Sequence, residues 1–66
     1  MQLRNRKMDQ ETAIKLLEIY NESHGNPYKF IKVVDHDQDG MILLCGLTNG
    51  EKIEVGVYPD MVVPVP

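Results

Sequence analysis

The chain has 66 residues, 42 % hydrophobic and 26 % charged, with a formal net charge of -3, three tyrosines, one phenylalanine and no tryptophan. These values exclude a second core, and they exclude disorder, because the apolar fraction is near the globular norm and the charge is too weak to keep the chain expanded. A domain this small buries only ~60 % of its unfolded surface, so a disulfide, a metal or a partner chain is expected to support it.

Cysteine counting removes the first of these supports. Cys45 is the only cysteine, so no intramolecular disulfide can form, and one thiol with His24 and His36 does not make a zinc set. Arg4, Arg6 and Lys7 are followed by Met8, Asp9, Gln10 and Glu11 rather than by an apolar run, which is not a signal-peptide pattern. No stretch approaches the ~18 apolar residues of a bilayer span. The expectation is a soluble cytoplasmic protein, with residues 1–8 as a basic, partly disordered arm and residues 9–66 as one domain.

Asp9 is placed to cap a helix, since its carboxylate can accept from the exposed amides of the first turn, and Glu11 puts a second negative charge at the positive end of the dipole. The helix is expected to run to about His24. Gly25 can take the left-handed cap conformation, Asn26 precedes a proline, and Pro27 forbids continuation. Ala13, Leu16, Leu17 and Tyr20 form an apolar stripe flanked by Ile14 and Ile19, with Glu11, Lys15, Glu18 and Glu22 opposite. His24 falls on that stripe near the helix end, a structural position.

Beyond Pro27 the residues become β-branched and aromatic and the period changes to two. Strands are expected at Tyr28–Val34, Met41–Thr48, Glu51–Tyr58 and Met61–Val65. Asn49-Gly50 reads as a two-residue type I′ hairpin turn. That turn would pair Gly46 with Ile53, Leu44 with Val55 and Ile42 with Val57 on a helix-facing side. Met41, Leu43, Cys45 and Leu47 would then line the other side. A four-residue loop at Asp37–Gly40 would add Ile31 and Val33 to the first side and Phe30 and Val34 to the second. The second strand thus carries two apolar faces, and either the sheet curls into a barrel or another chain covers the surplus. A hairpin, a turn at Tyr58-Pro59-Asp60 and a short proline-bearing return strand resemble, in topology alone, a small SH3-like barrel.

Asp35-His36-Asp37-Gln38-Asp39-Gly40 resembles the opening of an EF-hand calcium loop over six residues, with Asp35, Asp37, Asp39 and the Met41 carbonyl as the available ligands. The rest of that pattern is missing. Its twelfth position, which takes a bidentate carboxylate, is Gly46, its ninth is Leu43, and both flanks read as strands. The simpler reading is an acidic β-turn. Cys45 sits mid-strand among leucines and reads as packing rather than as a nucleophile, and no cofactor is implied. Arg4, Arg6 and Lys7 could contact phosphate, against which stand a pI near 5.1 and the acidic loop.

The expected architecture is α+β: an N-terminal helix on a three- or four-stranded antiparallel sheet in the order α-β-β-β-β. The expected role is a non-catalytic protein-binding or assembly module, a homodimer or an accessory subunit, docking through Phe30, Val34, Met41, Leu43, Cys45 and Leu47. Weak calcium binding at Asp35–Asp39 and nucleic-acid binding through the basic arm are the alternatives. No small-molecule substrate and no membrane partner are inferred.

Overall fold

A computed structural model describes residues 8–65. Arg4, Arg6 and Lys7, and with them most of the expected arm, lie outside the described residues; Met8 packs against the core. The described chain is one helix, α1 (Gln10–His24), followed by four strands, β1 (Lys29–His36), β2 (Met41–Gly46), β3 (Lys52–Tyr58) and β4 (Met61–Pro64).

Both helix ends follow from local chemistry. The Asp9 carboxylate accepts from the Thr12 amide at 2.9 Å, and the Asp9 carbonyl accepts the first helical bond, from Ala13. At the other end Gly25 (φ 80°) and Asn26 (φ 57°) both take the left-handed conformation, and both amides turn back to the Asn21 carbonyl. Pro27 then sends the chain into β1. Asn21 locks this corner: its side-chain amide donates to the Tyr28 carbonyl at 2.6 Å, and its side-chain oxygen accepts from the Tyr28 amide at 3.3 Å. Tyr20 is sandwiched beside it, stacked on His24 (centroids 3.9 Å apart) and on Tyr28 (5.8 Å). His24 is exposed, its Nδ1 lying 2.9 Å from the Tyr20 carbonyl.

The strands form one antiparallel sheet in chain order, β1-β2-β3-β4. It is an open meander rather than a barrel, because β1 and β4 are edges that do not pair with each other. β4 is short and carries Pro64, which has no amide to offer a further strand.

The pairing of β2 with β3 is one residue removed from the type I′ expectation. Asn49 does not adopt positive φ, whereas Gly50 does (φ 92°). The loop is therefore Thr48-Asn49-Gly50, with the Gly50 amide bonded to the Leu47 carbonyl and the Leu47 amide to the Glu51 carbonyl. This is a tight turn followed by a left-handed glycine that forms a bulge, the usual three-residue hairpin. The Asn49 side chain supports it by accepting from the Glu51 amide at 2.9 Å. Leu43 now faces Val55, Met41 faces Val57 and Cys45 faces Ile53.

One residue of slip exchanges the faces of β2. Met41, Leu43 and Cys45 join Ala13, Leu17, Val55 and Val57 in the core beneath the helix, and Leu43 and Cys45 are fully buried. They are thus removed from the expected docking strip. Phe30 leaves it too, because it pairs with Cys45 and packs on the same core.

β1 departs from a period of two. Its register with β2 shifts between Phe30 and Lys32 and again between Val33 and Asp35. Each bulge places two β1 residues opposite one β2 residue. As a result Phe30 and Val33, three apart, face inward, while Lys29, Ile31, Lys32, Val34 and Asp35 are all exposed.

Truncation separates the two faces of β2. Leu43→Ala should cost about 3 kcal/mol and Leu44→Ala less than about 1.5 kcal/mol in urea denaturation; the reverse order would restore the type I′ register.

Candidate protein interface

The face of the sheet away from α1 is covered by no other element among the described residues. Its composition follows from the register, row by row. Leu44 lies between Lys32 on β1 and Glu54 on β3, and Ile42 lies between Asp35 and Gly56, with Val63 of β4 beyond. The bulge residues Ile31 and Val34 project onto this face beside Lys32 and Asp35. Ile31 and Val34 each keep 42 % of their surface exposed, and Ile42, Leu44 and Val63 are half-buried. The apolar band Ile31, Val34, Ile42, Leu44 and Val63 thus crosses the sheet, rimmed by Lys29, Lys32, Lys52, Asp35 and Glu54.

One end of this face is closed by Tyr58. Its ring lies over Gly56 and Gly40: a β-carbon at Gly56 would come within 2.9 Å of the ring, and one at Gly40 would strike both the ring and the Val57 carbonyl. An aromatic ring laid over strand glycines replaces the side-chain packing that glycine lacks. Its hydroxyl donates to Asp37 Oδ2 at 2.6 Å, tying the β1–β2 loop to β3.

That bond also decides the fate of the acidic loop. Asp37 Oδ1 accepts from the Gln38 amide and Asp35 Oδ1 from the His36 amide, both at 2.8 Å. Asp35 and Asp37 are accordingly spent on turn geometry and on Tyr58 rather than converging with Asp39. Among the described residues no group of three or more His, Cys, Asp or Glu side chains is placed to hold a metal ion. The Tyr58 hydroxyl, and secondarily the Gln38 amide, hold Asp37 below the usual carboxylate range. The same hydrogen bond, aided by burial and by the charges of Asp37 and Asp39, raises Tyr58.

Of the residues expected at an interface, Val34 alone lies on the uncovered face. Leu47 is half-buried at the β2–β3 turn, in a shallow hollow of about 370 Å³ lined also by Asn21, Pro27 and Tyr28. Reading the sequence missed Ile31, Ile42 and Leu44, whose apolar character was assigned to the core. Burial pushes the Cys45 thiol up to about 11, the behaviour of a packed thiol rather than of a nucleophile.

No family model matches the chain, and comparison with curated proteins and with solved structures yields no match.

Two measurements check this description. The folded-state pKa of Asp37 lies below its unfolded value of about 3.9. Its stabilisation is therefore present above that value and lost as pH falls through the folded one. Tyr58→Phe should start with a lower thermal midpoint at neutral pH and then lose less than wild type between about pH 5 and about pH 2; an acid limb of unchanged size would dissociate the pair from acid stability. Cys45 should react with an aromatic disulfide reagent at about pH 8 only as fast as the chain opens, and fully in denaturant; rapid labelling of the native chain would place it outside the core.

Proposed function

We propose that this chain is a small non-catalytic assembly module that self-associates through the uncovered face of its sheet. The observation carrying the reading is the apolar band Ile31, Val34, Ile42, Leu44 and Val63, drawn from β1, β2 and β4, which has no helix over it among the described residues. Packing two such faces would bury the band on both sides, as in a β-sandwich whose sheets lie about 10 Å apart. Association by sheet extension is less favoured. β1 is bent by two bulges and lined with lysines, and β4 is short and carries a proline, devices that blunt edge pairing.

A non-catalytic role is consistent with the single thiol being consumed in packing. No helix among the described residues is long and apolar enough to cross a membrane. The same reading sets the module in the cytoplasm, where an unpaired thiol stays reduced.

The footprint is modest. Four strands about 4.8 Å apart, each offering some six residues at about 3.4 Å, give a projected area of about 400 Å², below the ~800 Å² of accessible surface that a typical stable partner buries. A micromolar, reversible dimer is the expected form. Sedimentation should show twice the 7.5 kDa chain mass at high micromolar concentration, dissociating on dilution. Leu44→Glu should remain monomeric throughout while melting close to wild type. A wild-type chain that stays monomeric at every concentration would defeat self-association and favour a different protein partner on the same face.

A further inference from the structure

The uncovered face is more than apolar, because its charges are arranged as a complement to themselves. The two bulges of β1 present matched pairs: Ile31 with Lys32 opposite Leu44, and Val34 with Asp35 opposite Ile42. Each pair is one branched aliphatic and one charge, and the charges are opposite. Further out, Lys29 and Lys52 flank Gly46 at one end, and Asp37 sits beside Gly40 at the other, its amide bonded to the Gly40 carbonyl. Lys29, Lys32 and Lys52 therefore outweigh Glu54 toward the β2–β3 turn, and Asp35 and Asp37 make the face acidic toward the β1–β2 loop. Lys29 and Lys32 make no ion pair with another described residue, so their charges remain available.

We propose that the partner is a second copy docked face to face about a two-fold axis that runs across the strands, over the Val33-Leu43-Val55 row. This rests on the self-association proposed above and specifies its geometry. Rotation about that axis reverses the strand direction and leaves each strand over its own counterpart. Leu44 then meets Ile42 of the other copy, Ile31 meets Val34, Lys32 meets Asp35 and Lys29 meets Asp37. Every contact occurs twice. The other face-to-face two-fold, with its axis along the strands, would lay β1 over β4 and match the basic end with the basic end and the acidic end with the acidic end, forming neither the Lys32–Asp35 nor the Lys29–Asp37 pair. Like charges so juxtaposed oppose association, which makes the second orientation the one excluded. Twisted sheets pack aligned at about 30°, which displaces β1, the outermost strand, by about 3–4 Å, within the reach of a lysine side chain.

The geometry makes a pattern of charge effects that a mere apolar contact would not. In sedimentation or fluorescence dilution at low ionic strength, Lys32→Glu and Asp35→Lys should each weaken the dimer by about tenfold, because each dimer holds the pair twice. The double variant Lys32→Glu with Asp35→Lys should return to within about threefold of wild type. Raising the salt should weaken the wild-type dimer. Both residues are exposed, so circular dichroism and thermal melting should confirm an intact fold for every variant. A dimer that Leu44→Glu abolishes but the charge variants leave unchanged, or that salt strengthens, would overturn this orientation while leaving self-association standing. A wild-type chain that is monomeric would overturn both.

Discussion

The left-handed conformation of Gly50 fixes which way β2 faces, and most of the molecule depends on that. With Gly50 at φ 92°, the loop holds three residues, and the pairing places Met41, Leu43 and Cys45 on the side of Val55 and Val57. The alternation of a strand leaves no intermediate choice: either this triplet is inside or Ile42, Leu44 and Gly46 are. Hydrophobicity alone does not choose, since both sets are mostly apolar. Fit does. Gly46 falls on the outer face, where it takes nothing from the core, whereas inward it would leave a gap beneath α1.

β1 solves a second geometric problem. A straight strand over Lys29–His36 would alternate Phe30 inward with Ile31 outward and then carry Lys32 inward. The bulges at Ile31 and Val34 change the interval to three, which keeps Phe30 and Val33 on the core and sends both Lys32 and Asp35 to solvent. The same irregularity makes the edge a poor template for another strand. It also generates the paired aliphatic and charged residues on the outer face, so protection of the edge and patterning of the face have a common origin. Tyr58 completes the arrangement by covering Gly40 and Gly56 and by holding Asp37.

Most of the local structure was legible in the sequence, and the reasons are local. Asp9 as a cap, Gly25 in the left-handed region and Pro27 as a stop act over a few residues, with no competing arrangement. The four strands and the Asp37–Gly40 loop were legible for the same reason. The β2–β3 register was not, because Asn49-Gly50 is compatible with a two-residue turn and with the second half of a three-residue one, and the apolar run Met41–Cys45 fits either face. The bulges were hidden as well, since a period of three over Phe30 and Val33 is too short to stand out against a period of two. Asn21 was missed because its side chain acts across the helix corner on Tyr28, a contact that only the folded chain creates. The misplaced face followed from the misplaced register: the surplus of apolar residues was real, but it sits on Ile31, Val34, Ile42 and Leu44.

That surplus has an energetic meaning for so small a domain. One helix can cover only one side of a four-stranded sheet, and the described residues hold no second helix for the other. Making the outer face wholly polar would favour a monomer, yet the central rows keep Leu44 and Ile42, while charge is confined to flanking positions. Such a face is costly in isolation only to the extent that it meets water, and the half-burial of Ile42, Leu44 and Val63 limits that cost. A partner that binds only the folded state stabilises it by mass action, in proportion to the logarithm of its concentration over the dissociation constant. For a weak, self-complementary face the contribution is small when the chain is dilute and grows as it accumulates. On the proposed self-association, folding and assembly are coupled through the same strand: the parity set at Gly50 puts Leu43 in the core and Leu44 on the face, and neither placement can be had without the other.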